Sequence, residues 1–318
     1  MIETARNSRP TRRALPAWRV RQAFWVAAFL APALLIMVAF ATYPIIASLA
    51  YAFYEWQGAR RLEFGTLENF QRLFSFPHQE RFLGALRNNA VVFVSVMVIQ
   101  NGVALFLAYL LSRFTLGKRF FRTVFFLPVI LSLVIVGFMW RLFLNPLFGP
   151  VNSFLERAGL EGLAIAWLGD AATALPALIL VNTWRWLGFP TIVFMAGIHS
   201  VPEEYLEAAR LEGANEWQVF WRITFPLLAP AFTIIFLLTF IGAMEWFELP
   251  YVMQGLSGSP YYSTDTLALF FYRTAFGTVD AGISDFGMGA AIGVLLFAMI
   301  IAGSIVAARV LRSREVEL

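Results

Sequence analysis

An all-α polytopic membrane protein, with six transmembrane helices and one long patterned loop facing the cytoplasm, is the fold class this sequence predicts. Three observations predict it. Of 318 residues, 59% are hydrophobic and 14% charged, where a soluble domain carries about 25% charged residues. Six apolar runs are each long enough to cross a bilayer, and they are continuous rather than alternating, which implies helices and not a barrel. The basic residues gather in alternate connections, the pattern that sets membrane topology.

Taken in order, residues 1–23 form a basic tail with Arg6, Arg9, Arg12, Arg13, Arg19 and Arg21 against the single acid Glu3. The first apolar run, 24–53, is too long for a signal-peptide core of about 7–15 residues, although Ala50-Tyr51-Ala52 has the form of a cleavage site. Pro32 and Pro44 are expected to kink it. Five further spans are expected at about 90–111, 123–143, 174–197, 227–252 and 286–308. The six-helix domain is therefore expected over 24–311, with a cytoplasmic loop at 199–226 and a short tail at 312–318. Between the spans, 67–74 reads as a short amphipathic helix, and 145–150 as a turn leading into another through Phe154 and Leu155.

The tail, the 112–123 and 198–226 connections and the C-terminus hold 15 of the 24 Lys/Arg residues. The positive-inside rule places them, with both termini, in the cytoplasm. The 54–89 connection carries five arginines and runs against the count, but the rule applies best to short loops. The net charge of +4 is thus accounted for by span ends rather than by nucleic acid.

Several chemistries are excluded. The chain has no cysteine, which removes disulfides, zinc–thiolate sites and Cys nucleophiles. His78 and His199 are far apart and outside the spans, so no metal site is expected. The only lysine, Lys118, lies in no Gly-x-x-x-x-Gly-Lys-Ser/Thr context, and no GxGxxG fingerprint or paired-carboxylate constellation occurs. No catalytic residue is expected.

The most patterned stretch is 201–230. Pro202 suits the first position of a helix, Glu203 and Glu204 its positive end, and Gly213 a left-handed terminator. Asn215 and Gln218 have capping-box spacing for a second helix carrying Trp217, Phe220, Trp221 and Ile223. Five glutamates, Glu203, Glu204, Glu207, Glu212 and Glu216, give an acidic edge. Such a helix–turn–helix suits docking of a soluble partner. An interfacial hairpin is the alternative, though those usually carry Lys/Arg on the polar face.

Glu207-Ala208-Ala209, Gly213, Ile223 and Pro226 stand at the spacing of the EAA motif, and the chain resembles ABC importer permeases on that ground. Phe225 replaces the usual Leu. Pro202-Glu203-Glu204-Tyr205 and Leu211-Glu212-Gly213-Ala214 resemble the binding-protein-dependent carbohydrate uptake branch, first-permease type of a two-permease system, as do 32–54, 67–70, 186–190 and 247–272. The resemblance implies the type I permease architecture and alternating access in the bacterial inner membrane. It implies a homologous second permease, two copies of a P-loop ATPase and an extracytoplasmic binding protein as partners. ATP and Mg would be bound by the ATPase and no cofactor by this chain. It makes Glu203, Glu204, Glu207, Ala208, Ala209, Gly213, Ile223 and Pro226 the coupling surface. Within the branch, a sugar or oligosaccharide competes with sn-glycerol-3-phosphate or another polyol as cargo. A stand-alone secondary transporter would need an inverted repeat, which the sequence does not show.

Ionisable residues inside spans are functional candidates, since each costs about 2.5–3.5 kcal/mol on insertion scales. Arg185 falls near mid-membrane, with Glu245 and Glu248 in the outer half of the next span. Asn182, Arg185, Trp186, Gly188, Glu245 and Trp246 are the expected substrate pathway, because Trp faces beside hydrogen-bonding groups suit sugar rings. The other reading is a structural Arg185–Glu245 pair between packed helices. Gln100 and Asn101 are expected to tie helices together, and Gly289 and Gly293 to admit a neighbouring helix, a second permease among the possibilities.

Overall fold

The computed structural model describes residues 17–57, 60–65, 67–113, 117–277 and 284–313. Most of the tail arginines, parts of the 112–123 connection and residues 314–318 lie outside them. The chain divides into two compact units, Met1–Ala50 and Tyr51–Leu318.

The first unit holds α1 (Ala17–Met37), a π-helical turn (Val38–Thr42) and most of α2 (Tyr43–Tyr51). Pro32 is accommodated inside α1. The π turn ends two residues before Pro44, whose nitrogen cannot donate to the preceding turn, so the helical hydrogen-bond pattern changes beside the expected kink site.

In the second unit a hairpin of β1 (Tyr54–Gln57) and β2 (Arg60–Phe64) was not foreseen. The two strands pair antiparallel. α3 (Glu68–Leu73) then leads to α4 (His78–Ser95), a π turn (Val96–Gln100) and α5 (Asn101–Arg113), which run on as one 36-residue helix. Residues Phe24–Tyr51, His78–Arg113 and Phe286–Arg312 are long and apolar enough to cross a membrane unbroken.

Three other spans are broken. α6 (Lys118–Ile130) and α7 (Leu133–Phe143) meet at 97°; Pro128 sits inside α6, and Leu131 and Ser132 are extended. α9 (Ala171–Trp186) and α10 (Gly188–Ser200) meet at 49°, where Pro190 cannot donate to the Trp186 carbonyl. Before them, α8 (Pro150–Arg157) is the short helix expected after the 145–150 turn.

α11 (Glu203–Leu211) and α12 (Glu216–Val219) form the helix–turn–helix. Pro202 is the residue before α11 rather than its first helical position, with an extended backbone at ψ 134°. Past a π turn (Phe220–Thr224) come α13 (Phe225–Leu227) and α14 (Ala229–Met244), and Glu216–Leu227 and Ala229–Met244 bend by 64°. If each bent pair counts as one span, the described residues hold six.

The fifth expected span, 227–252, does not run through. α14 stops at Met244, and α15 (Glu248–Gln254) is a separate short helix. Hydropathy could not show this, because Trp246 and Phe247 keep the window apolar. α16 (Leu267–Phe276) and α17 (Phe286–Arg312) complete the chain. Gly289 does admit a close neighbour, but the neighbour is internal: a Cβ there would lie 2.6 Å from the Ala275 side chain of α16.

The breaks are held by buried amides. Asn89, fully buried, donates to the carbonyls of Ala243 (2.6 Å) and Met244 (3.2 Å) and accepts from the Leu267 N–H (2.9 Å). It therefore closes the end of α14 and opens α16. Asn101 donates to Thr239 Oγ1 at 2.9 Å, a tie between helices as expected. Between α15 and α16, Tyr261 and Tyr262 are left-handed, φ 50° and 61°. That conformation costs roughly 1–3 kcal/mol per residue. Asn88, donating to the Ser263 and Asp265 carbonyls at 3.1 and 2.9 Å, and the buried Arg273–Asp265 pair at 2.6 Å hold the loop in place. Burial pushes the Asp265 carboxyl up, against the opposing Arg273 hydrogen bonds and charge.

Replacing Asn89 by Leu leaves buried backbone groups of two helices without partners, at about 1–3 kcal/mol each. Asn89→Leu is expected to lower the thermal unfolding midpoint of the detergent-solubilised protein clearly. Arg273→Met, which strands Asp265, is expected to cost about 3–5 kcal/mol in the same measurement.

Candidate functional site

The broken ends of α14 and α15 face α9 and the middle of the α4–α5 helix, and the space between them is a cavity of about 690 Å³. Asn182, Arg185, Trp186, Glu245 and Trp246 all line it, together with Gln100, Phe189, Thr239, Gly242, Phe247 and Glu248. The walls are aromatic and aliphatic, and the polar groups converge from four elements, the Val96–Gln100 π turn, α9, α14 and α15.

Each polar side chain has a local reason for its position. Asn182 donates to Gln100 Oε1 at 3.2 Å, so Gln100 both ties α9 to the π turn and edges the cavity. Arg185 stands in the last turn of α9, where the helix dipole favours a cation. Its guanidinium lies 5.5 Å from the Trp186 ring centroid, within cation–π range. Its Nε is buried without a hydrogen-bond partner. Glu245 is the residue that ends α14, and Glu248 opens α15. Among the described residues, Arg185 makes no ion pair with Glu245; the carboxylate whose charge reaches it is Glu248. The paired-helix reading of Arg185 and Glu245 is therefore not what the geometry shows.

Gly188 does not line the cavity. A Cβ there would lie 2.3 Å from the Phe125 carbonyl oxygen and 2.8 Å from the Phe126 Cα. Its role is to let α10 approach the backbone of α6. The sequence marked Gly188 through its neighbours, while the partner that demands a glycine is more than sixty positions earlier in the chain.

At the far end of α5, the 203–226 segment forms an exposed platform. Glu203, Glu204, Glu207, Ala208, Gly213 and Pro226 are exposed, and Ala209 and Ile223 are half-buried. Gly213 has φ 86°, left-handed as expected. The capping box is complete: Asn215 Oδ1 accepts from the Gln218 N–H and Gln218 Oε1 from the Asn215 N–H, both at 2.9 Å. Glu216 accepts from Arg210 at 3.0 Å and also from Arg113. The second contact joins the 112–123 and 198–226 connections at one end of the molecule. Tyr205, Ala208, Ala209, Glu212, Arg222, Ile223, Pro226 and Leu227 line a groove of about 420 Å³. Leu211 is 89% and Trp217 68% exposed, so the apolar residues of the turn project outward. Their projection, and the Arg113 anchor, were not legible from spacing alone. Among the described residues no cluster of His, Asp or Glu could hold a metal ion.

A polytopic helical protein with a cavity at its broken spans and an exposed, internally braced platform at one end has the design of a transporter's membrane subunit. Residues 100–315 match the family described as "Binding-protein-dependent transport system inner membrane component", and the chain belongs to that family. It is 31% identical to the probable starch degradation products transport system permease protein AmyD of Thermoanaerobacterium thermosulfurigenes, over 94% of this chain and 97% of that one. It is 33% identical to the lactose transport system permease protein LacF of Rhizobium radiobacter, over 78% and 82%. Its fold matches a chain in the crystal structure of a bacterial alginate ABC transporter in complex with alginate pentasaccharide-bound periplasmic protein. The TM-score is 0.77 at 24% identity, covering 92% of this chain and 95% of that chain.

Gly188→Val forces the α6 backbone away and is expected to reduce assembled protein and its unfolding midpoint. Gly242→Ala, whose new methyl meets nothing within 4 Å, is expected to leave both unchanged. Comparable yields and midpoints for the two variants would contradict the packing account of Gly188.

Proposed function

We propose that this chain is the permease subunit of an ATP-driven importer that moves a sugar or oligosaccharide delivered by an extracytoplasmic binding protein. The observation that carries the reading is the pairing of two features on one helix. The α4–α5 helix borders the cavity at Gln100 and braces the exposed platform through Arg113. Cargo handling and a docking surface are thereby mechanically continuous.

In this reading a separate P-loop ATPase, two copies per transporter, docks on the platform. It supplies ATP and Mg, and its closure is delivered through Glu203, Glu204, Glu207, Ala208, Ala209, Gly213, Ile223 and Pro226. A homologous second permease completes the pathway, and a binding protein docks at the opposite end. The permeases of similar sequence named for starch products and lactose support a carbohydrate cargo. The neighbouring transporter's complex with a periplasmic protein supports the binding-protein partner. Aromatic faces at Trp186, Trp246, Phe189 and Phe247, edged by amide and charged groups, suit sugar rings. Asn182, Arg185, Trp186, Glu245 and Trp246 would line the path, while Gly188 would support it from outside. The family is an inner-membrane one, and the basic ends of the spans support a cytoplasmic platform with both termini on the same side.

In the complete transporter, Glu207→Lys reverses a charge on the platform and Gly213→Asp places a side chain at φ 86°. Each is expected to cut ATPase stimulation by loaded binding protein about tenfold, a coupling loss near 1.4 kcal/mol. Normal stimulation in both, with the complex intact, would refute the coupling role. Arg185→Ala and Trp246→Ala are expected to change the apparent affinity or rate of uptake. Unchanged values in both would remove these residues from the pathway.

A further inference from the structure

The charges in the cavity do not balance. Glu245 and Glu248 both line it and are exposed to it, and Arg185 is the one cation among the described residues that line it. Part of that cation's field is already engaged, by the Trp186 ring at 5.5 Å and by Glu248. Glu245 is also placed where local electrostatics oppose it. It ends α14, and its carboxylate adds to the negative end of the helix dipole instead of offsetting it. A carboxylate kept in such a position on an apolar wall raises the negative potential there, and low-dielectric walls focus that potential onto whatever enters.

We propose that the cavity selects its cargo by charge: it admits neutral or amino sugars and rejects anionic ones such as uronates and phosphorylated polyols. The proposal rests on the reading of this cavity as the substrate path and narrows it. Arg185 does not serve as a phosphate anchor. It offsets one of two carboxylates, its remaining N–H groups serve hydroxyl oxygens, and the unmatched carboxylate accepts from sugar hydroxyls or an ammonium. An anion entering the cavity meets a net negative wall and a single cation whose field Glu248 already shares, whereas a neutral ring meets aromatic faces and hydrogen-bonding edges.

The absence of cysteine in this chain makes the potential directly measurable. Gly242 lines the cavity, and a side chain added there meets nothing within 4 Å. Gly242→Cys is assembled into the complete transporter and treated with methanethiosulfonates carrying a trimethylammonium, a sulfonate or a methyl group. Adducts are located on this chain by mass. Relative to a small thiol in solution, the cationic reagent is expected to outpace the anionic one by about tenfold or more. Adding Glu245→Gln and Glu248→Gln is expected to reverse that preference. A ratio at or below the solution value, a ratio unmoved by the double substitution, or failure of even the methyl reagent to label would overturn the proposal. The pathway reading is judged separately: methyl labelling at position 242 is expected to slow uptake. Full uptake after complete labelling would refute that reading, whatever the charge ratio shows.

Discussion

Hydrocarbon offers no hydrogen bonds, so a helix that stops within it must have its loose backbone groups met by the protein. Asn89, fully buried, meets that requirement where α14 stops and α16 starts. One side chain accepts the N-terminal amide of α16 and donates to two carbonyls at the end of α14. Without it α14 could not end at Met244, and Glu245, Trp246 and Glu248 could not turn inward. Thr266 repeats the device on a smaller scale, donating to the Trp246 carbonyl at 2.7 Å. The cavity is thus made by stopping a helix, and the stop is made affordable by an amide on a different helix.

The breaks also explain where polarity is tolerated. Gln100 and Asn182 bond to one another, and Asn101 bonds to Thr239. Each bond ties two spans, and Gln100, Asn182 and Thr239 also line the cavity. The left-handed Tyr261–Tyr262 pair shows the same economy beyond α15. Its backbone is fixed from three sides, by Asn88, by Thr264 and by the buried Arg273–Asp265 pair. Strain of this kind persists only where neighbours over-determine it.

The apolar runs, the two short connecting helices and the Asn215–Gln218 and Gly213 caps were legible because each depends on residues close in sequence. The elements that were misread depend on distant ones. The 227–252 run looked continuous since aromatic residues mask the interruption at Glu245, and the amide that permits it lies 154 positions away. Nothing near Asn88 and Asn89 in sequence marks their partners, which are the loop carbonyls of Ser263 and Asp265 for Asn88 and the ends of α14 and α16 for Asn89. Gly188 was grouped with the polar residues beside it because the carbonyl that crowds it belongs to Phe125. Gly289 was correctly read as a site of close approach, but its neighbour, Ala275, lies within the same chain.

The unbroken α4–α5 helix stands apart from the bent spans around it. Its 36 residues make a strut about 54 Å long at 1.5 Å per residue. It is pinned at three heights: by Asn88 and Asn89 near one end, by Gln100 at its π turn, and by Arg113 at the other. A strut held in this way cannot absorb motion by flexing at a break, as its neighbours can. A sideways shift of about 3 Å at the Arg113 end becomes a tilt of about 3° along the whole length. The angle is shared by the amides that edge the cavity and by those that hold α14 and α16. The molecule therefore carries a crossbeam, and the three broken spans are the joints around which it can lean.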